Sequence, residues 1–429
     1  MAAFKTRQEE TTARAEVWQT YLETEKKNNT RHEEMYWLLW HQKTIDSGAD
    51  MKLPWRGIMY FDEATRQYSH LEKSAIPMRF TGVTQGEPGE NGYPLYIVLH
   101  GGGQTLINEL SYEFMIDNYK ESIENSIQIT CRGIRETYNC HFNPESYPLY
   151  DRLIQNMIIF GNVDPNRVYL MGYSAGGDGV YGITPYMADR FAAVSMSAGH
   201  HNNISPINFM NTPIILQCGD DDTAYDRHLE TARFGDKLKA LRETWPEQYE
   251  HIVNMHVARQ HGISDDDAKR KTNPVWENSS AWLEGITKTP PQMGCSAKSV
   301  NTNAVDFLKE YTRNPLPKTV AWDLSTRSPL RPVKSFYWLQ ADEAMTSGII
   351  YATLDTDNNS IKIDTQNVTG TFRILLNWDM VDYDRPVSLV INGVTRQEKL
   401  TPSREVVEET TQERGDVNYQ FSVKVEINV

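Results

Sequence analysis

A G-x-S-x-G motif spans residues 172–176 and centres on Ser174. It lies between the apolar segment 168–171, which has the pattern of a buried strand, and a run of small residues that can begin a helix. In that context the serine occupies a tight strand-to-helix turn that presents its hydroxyl above the edge of a sheet. The N-terminus of the helix favours negative charge developing there. The chemistry predicted is nucleophilic attack by Ser174 on a carbonyl carbon.

A His-Gly-Gly-Gly segment, 100–103, follows directly after the apolar segment 95–99. Such a segment after an earlier strand supplies one N–H group to an oxyanion hole, and the residue after the nucleophile supplies another. We therefore predict that the N–H groups of Gly102 or Gly103 and of Ala175 bind the oxyanion. A plain glycine-rich turn is the alternative.

A nucleophilic serine also needs a base and an acid, which are expected further along the chain. Asp220, Asp221 and Asp222 follow the apolar segment 213–218, and one of them is the predicted acid. The other two are expected in a solvated loop. A calcium site is a weaker alternative, because no spaced ligand loop ending in glutamate follows. His261 comes after the last strand predicted in this region and is the predicted base.

The elements that must hold these residues alternate between strand and helix patterns. Helical patterns occur at 146–160 and 229–241. Apolar segments typical of strands, several of them continuous as in buried parallel strands, occur at 95–99, 127–131, 168–171, 191–198, 213–218 and 252–257. Strands that alternate with helices predict a doubly wound, mainly parallel α/β sheet.

The residues before and after this region do not show the alternation of strand and helix patterns. Residues 5–43 carry apolar side chains at helical spacing among charged ones, which predicts an N-terminal helical extension. After about residue 320, short β-rich segments separated by turn signals predict a C-terminal β-sandwich, with a solvent-facing helix near 402–413. The predicted domains are 1–75, 76–320 and 321–429.

Composition excludes several classes of partner. The net charge of −14 disfavours nucleic acid and anionic membrane surfaces, since both need positive patches. No apolar run approaches 18 residues, so no membrane span is expected. The N-terminus lacks the apolar core of a secretory signal, which predicts a cytoplasmic protein. The four cysteines, with no C-x-x-C pair, are expected to be free and mostly buried.

Several segments resemble a group of α/β-hydrolases related to poly(3-hydroxybutyrate) depolymerases, feruloyl esterases and esterase D. They are 167–181, 187–193, 197–200 and 224–227. The resemblance covers about 93–429, because 336–339, 384–387 and 413–416 resemble a small β-domain found beside such hydrolases. It implies a Ser-Asp-His triad, and segment 224–227 points to Asp222 as the acid. Around the base the chain departs from these relatives, with Gln260-His261-Gly262 in place of Gly-His-Trp.

The resemblance implies a serine hydrolase that works through an acyl-enzyme, with a carboxylic ester as its substrate. A peptidase or amidase acting on a short peptide is the alternative within this fold. A non-catalytic binding protein on the same scaffold is a further one, although the complete set of Ser174, Asp222 and His261 argues against it. Neither a metal nor an organic cofactor is needed, and the sequence leaves the oligomeric state open. The residues predicted to line the substrate pocket are His100, Tyr173, His200 and Tyr225.

Two features of the predicted β-domain admit more than one interpretation. Trp322, Trp338 and Trp378 could stack on sugar rings, but large rings in a small sandwich more often form its core. Residues 355–359 faintly resemble a calcium loop but lack its glycine and its final glutamate. We predict core tryptophans and a hairpin turn.

Overall fold

The structure, a computed structural model, describes residues 3–36, 38–39, 42–43, 55–62, 67–68, 76–102, 123–256, 260–261, 304–327 and 333–429. The chain divides into two compact units. One unit combines Met1–Arg31 with Asn314–Val429, and the other is His32–Arg313. The N-terminal residues therefore belong with the C-terminal strands, which the sequence did not indicate.

The described residues contain the following helices and strands. The helices are α1 Arg7–Glu25, α2 Asn29–Glu34, α3 Ser146–Phe160, α4 Ala175–Met187, α5 Arg227–Thr244, α6 Ala304–Lys309 and α7 Arg404–Arg414. The strands of the unit His32–Arg313 are β1 Trp55–Asp62, β2 Gln67–Tyr68, β3 Ile76–Gln85, β4 Tyr93–Leu99, β5 Ser126–Cys131, β6 Val163–Tyr173, β7 Ala193–Ser197, β8 Ile214–Gly219 and β9 His251–His256. Those of the other unit are β10 Thr319–Asp323, β11 Ser335–Phe336, β12 Leu339–Ala341, β13 Ile349–Asp355, β14 Ser360–Gln366, β15 Thr371–Leu376, β16 Val387–Ile391, β17 Val394–Glu398 and β18 Val423–Asn428.

The strands of His32–Arg313 form one sheet in the order β2-β1-β3-β5-β4-β6-β7-β8-β9. Strands β4 to β9 pair with one another in parallel. Strand β3 is antiparallel to both of its neighbours, β1 and β5. Every residue of β5, β8 and β9 is buried, as expected for strands covered on both faces. The doubly wound, mainly parallel sheet predicted from the sequence is confirmed.

The parallel strands bring the candidate residues to one edge of the sheet. The carboxyl ends of β4, β6, β8 and β9 lie at the same edge, because parallel strands run in the same direction. His100 follows β4, Ser174 follows β6, and the three aspartates follow β8. Segments of the chain that are far apart in sequence are therefore able to supply one site.

The unit formed by Met1–Arg31 and Asn314–Val429 carries two β-sheets. One has the order β10-β13-β14-β16-β17 and the other β11-β12-β15-β18. The ring of Trp322 in the first sheet stacks on that of Phe336 in the second, with centroids 5.6 Å apart. Trp322 and Trp338 are buried, so the prediction that they form core is confirmed, whereas Trp378 is half-buried against Tyr383. The hairpin between β13 and β14 is also confirmed.

Helix α1 buries its apolar side chains Ala13, Val17 and Tyr21 within the unit formed by Met1–Arg31 and Asn314–Val429. Thr6 caps it by accepting from the Glu9 N–H at 3.2 Å. Its buried acid, Glu10, accepts from the Trp378 N–H at 3.0 Å and from the Ser422 hydroxyl. Burial raises the pKa of Glu10. Helix α7 exposes one face to solvent, as predicted, and buries the other; the buried residues are Val407, Thr410, Thr411 and Arg414.

Replacing Glu10 by alanine should lower the free energy of unfolding by about 2 kcal/mol, because Trp378 and Ser422 lose a buried hydrogen-bond partner. Urea unfolding followed by tryptophan fluorescence measures this loss. Glu23→Ala, an exposed site on the same helix, is the matched control and should leave the unfolding midpoint nearly unchanged. Equal midpoints for the two variants would contradict the anchoring role of Glu10.

Two further sequence expectations concern membranes and thiols. No helix among the described residues is long and apolar enough to cross a membrane. Cys131, Cys140 and Cys218 are free and buried, as predicted, whereas Cys295 lies outside the described residues.

Candidate active site

Ser174 occupies the tight turn between β6 and α4 that its motif predicts. Its backbone has φ 58° and ψ −120°, a conformation that residues other than glycine rarely adopt. The Ser174 N–H donates to the Ser197 carbonyl at 2.9 Å, and the Ser174 carbonyl accepts from the Asp178 N–H at 3.0 Å. Backbone bonds on both sides therefore hold the strained turn in place, as strained functional turns require.

The glycines of the motif are needed for close backbone contacts. A Cβ atom on Gly172 would lie 2.0 Å from the Gly176 carbonyl oxygen, and one on Gly176 would lie 2.2 Å from the Leu99 carbonyl oxygen. Gly101 is similarly close to the nucleophile, because a Cβ there would lie 3.1 Å from that of Ser174. These contacts place the segment after β4 directly against the serine turn.

We expect Gly176→Ala to lower the free energy of unfolding by about 3 kcal/mol or more, because the methyl group would overlap backbone that has no room to move. Thermal unfolding of the purified variant measures this change. Gly89→Ala is the matched control, since its Cβ would make an ordinary 3.6 Å contact. A Gly176→Ala variant as stable as Gly89→Ala would show that the turn is looser than described.

The structure brings Ser174, His261 and Asp222 into a single hydrogen-bonded line. His261 Nε2 lies 2.9 Å from Ser174 Oγ, and His261 Nδ1 lies 2.8 Å from Asp222 Oδ2. The carboxylate accepts from Nδ1–H, so Nε2 is left to accept the serine proton. The Asp222 side chain is 1% exposed and that of His261 is 39% exposed. This geometry allows a serine to be deprotonated by an imidazole whose orientation a buried carboxylate fixes.

The loop after β8 separates the three aspartates by burial. Asp222 is buried, Asp220 is half-buried and Asp221 is exposed. The Asp222 N–H donates to the Gly219 carbonyl at 3.2 Å, and its own carbonyl accepts from the His228 N–H at 3.3 Å. Among the three carboxylates, that of Asp222 is bonded to His261, which agrees with the acid implied by the resemblance.

Two neighbours of Asp222 were not identified from the sequence. Arg227 Nη1 lies 3.8 Å from Asp222 Oδ1 and donates to the Ala224 carbonyl at 3.1 Å. The Cys218 thiol lies 3.8 Å from Asp222 Oδ2, within reach of a weak S–H bond. Burial raises the pKa of that thiol, so it stays a neutral donor. A half-buried cation beside the Asp222 carboxylate offsets part of the cost of keeping that charge away from water.

The structure describes two of the three residues predicted to supply oxyanion donors. Ala175 is the first residue of α4, where an N–H group has no partner inside the helix. Gly102 has φ +80°, and a Cβ there would meet no described atom within 4 Å. Gly103 lies outside the described residues.

The four residues predicted to line the pocket take different positions. Tyr173 donates its hydroxyl to the His261 carbonyl, and the two rings lie 5.3 Å apart, so it holds the base. Tyr225 is 67% exposed beside the acid loop. The His200 N–H donates to Asp178 Oδ1 at 2.6 Å, and burial raises the pKa of Asp178. His100 is buried, and its ring bonds to the backbone of Gly101 and Gly133.

The sheet order and the Ser174 turn define an α/β-hydrolase fold, as the sequence predicted. A poly(3-hydroxybutyrate) depolymerase and several esterases are among the solved structures to which this chain is similar.

The chain is similar to the poly(3-hydroxybutyrate) depolymerase LpqC from Bordetella parapertussis at 13% identity and a TM-score of 0.40, over 55% of this chain and 89% of that one. It is similar to a thermostable esterase at 14% identity and a TM-score of 0.38, over 62% and 74%. It is also similar to dipeptidyl peptidase 4 from Porphyromonas gingivalis at 15% identity and a TM-score of 0.35, over 47% and 33%. No family model matches the chain. No curated protein matches it.

Proposed function

We propose that this chain is a serine hydrolase that cleaves a carboxylic ester through an acyl-enzyme. The observation that carries the proposal is the line from Ser174 Oγ to His261 Nε2 and from His261 Nδ1 to Asp222 Oδ2, at 2.9 and 2.8 Å. These are hydrogen-bond distances for a nucleophile, its base and the acid that orients the base.

In the proposed reaction, His261 takes the Ser174 proton as Oγ attacks the substrate carbonyl. The oxygen that becomes negative is bound by the N–H groups of Ala175 and of Gly102 or Gly103, and the N-terminus of α4 adds its dipole. His261 then gives the proton to the leaving alcohol, and the acyl group stays on Ser174. Water, deprotonated by His261, attacks the acyl-enzyme and releases the carboxylic acid.

A fluorophosphonate probe tests the class of enzyme, because it forms a stable bond only with an activated serine. The full chain should be labelled at Ser174, as identified by peptide mass, and prior heating should abolish the labelling. Lack of labelling in the folded protein would favour the alternative of a non-catalytic binding protein.

A substrate screen tests the ester assignment. We expect hydrolysis of p-nitrophenyl esters over a series of acyl chain lengths, measured beside aminoacyl p-nitroanilides at equal concentration. A higher kcat/KM on the anilides than on every ester would replace the esterase proposal with that of a peptidase or amidase.

A further inference from the structure

Two buried histidines lie beneath the glycine segment that follows β4. His100 is 3% exposed and His141 is fully buried. Their rings meet edge to face, with centroids 4.5 Å apart. The proposed reaction uses neither ring, and His141 belongs to no motif found in the sequence.

Hydrogen bonds assign a tautomer to each ring. The Gly133 N–H donates to His100 Nε2 at 2.9 Å, so the neutral ring carries its proton on Nδ1, which donates to the Gly101 carbonyl at 2.9 Å. His141 Nε2 donates to the His100 carbonyl at 2.9 Å. His141 Nδ1 therefore accepts from the Tyr150 hydroxyl at 3.1 Å. Each ring therefore passes on one hydrogen bond, His141 from the Tyr150 hydroxyl to the His100 carbonyl and His100 from the Gly133 N–H to the Gly101 carbonyl.

Those two carbonyl groups fix the direction of the next two N–H groups. A trans peptide is planar, so the C=O of one residue and the N–H of the following residue point in opposite directions. Holding the His100 and Gly101 carbonyls within the protein therefore turns the Gly101 and Gly102 N–H groups the other way. Gly101 lies against Ser174, and a Cβ on Gly102 would meet no described atom within 4 Å.

We propose that His141, acting through His100, is a positioning residue that aims the N–H groups of the glycine segment at the oxyanion. This inference rests on the proposed serine hydrolase function. Removal of one oxyanion donor in such enzymes costs about 10²- to 10³-fold in kcat, so a donor that is free to turn away should cost a similar factor.

Burial keeps both imidazole rings and the Tyr150 hydroxyl uncharged. Burial lowers the pKa of His100 and lowers that of His141 well below its usual value. Burial also raises the pKa of Tyr150 far above its usual value, so the hydroxyl keeps its proton. The charged groups that act on His100 are Arg132 and Glu136, which form an ion pair with each other.

A metal site is the competing interpretation of this cluster. Cys140 lies beside both rings, and one potential ligand atom from each of the three side chains falls within 4.8 Å of the others. A metal would need a free imidazole lone pair, but His100 Nε2 and His141 Nδ1 already accept hydrogen bonds. Burial also raises the pKa of the Cys140 thiol to about 12, which opposes thiolate formation.

The first test measures kinetics on the best ester found in the screen. His141→Phe should lower kcat about 10²-fold with little change in KM, because the donor acts on the transition state. His141→Gln, whose amide can donate to the His100 carbonyl, should recover most of that loss. The affinity for an alkyl boronic acid, whose adduct places an oxygen in the oxyanion position, should fall with kcat in His141→Phe.

His251→Phe is the matched control for loss of a buried histidine. His251 is buried and donates to the Tyr249 carbonyl at 2.7 Å. The variant should lose stability yet keep kcat per folded molecule. Wild-type kcat and boronate affinity in His141→Phe, or equal kcat losses in His141→Phe and His251→Phe, would overturn the proposal.

The second test needs neither turnover nor a folded His141→Phe variant. In ¹⁵N-histidine NMR spectra of the wild-type chain, His100 should show a proton on Nδ1 and His141 a proton on Nε2. Both should stay neutral at pH values where a free histidine is mostly protonated. Spectra of His141→Gln assign the His141 signals. Any other pair of tautomers would overturn the proposal, whereas a wild type without hydrolase activity but with these tautomers would count against the proposed function only.

Discussion

Replacement of Ser174 by alanine is expected to lower kcat on the best substrate by about 10⁶-fold while the fold stays intact. The expectation follows from the hydrogen bond between Ser174 Oγ and His261 Nε2, because without Oγ no covalent intermediate can form. Alanine keeps the Cβ, so the strained backbone of the turn is the same in both proteins. Fluorophosphonate labelling should be lost together with turnover.

Ser195→Ala is the control for loss of a serine hydroxyl near the site. Ser195 is buried in β7, which pairs with β6, so the control removes the same group from the strand beside the one that leads into the Ser174 turn. Ser195→Ala should keep turnover and labelling within a few-fold of wild type. Substantial turnover by Ser174→Ala, or loss of labelling only in Ser195→Ala, would place the nucleophile elsewhere.

The serine turn could be predicted from the sequence because its determinants are local. The strand β6, the turn at Ser174 and the start of α4 occupy one continuous segment, and each has its own residue pattern. The mainly parallel sheet is indicated by continuous apolar strands such as β4 and β8. Local pattern was therefore sufficient for the element that carries the proposed nucleophile and for the strands around it.

The acid could be limited to three residues but not chosen by pattern. Any aspartate after β8 fits a strand end, and the choice depends on which side chain turns inward. In the structure Asp222 turns inward because its backbone bonds to Gly219 and His228, and Arg227 lies close to its carboxylate. The resemblance supplied the choice that spacing could not.

The residues missed by sequence analysis depend on partners that are distant along the chain. His141 lies 41 residues after the carbonyl to which it donates, and no motif links the two. Glu10 bonds to a backbone group 368 residues away and is buried there, although a glutamate in a charged helix indicates a solvent-exposed side chain. A polar residue whose role comes from a tertiary contact has the same local pattern as one that faces water.

Asp222→Asn is expected to lower kcat by about 10⁴-fold. The asparagine amide can donate to His261 Nδ1, which would move the ring proton to Nε2 and leave no acceptor for the Ser174 proton. Asp220→Asn and Asp221→Asn are matched controls, since they make the same change two residues and one residue earlier in the loop. Asp221 is exposed and Asp220 half-buried, so both variants should keep turnover within about tenfold of wild type. A steady-state comparison of the three purified variants at one pH decides among them, and a larger loss in Asp220→Asn or Asp221→Asn would transfer the role of acid to that residue.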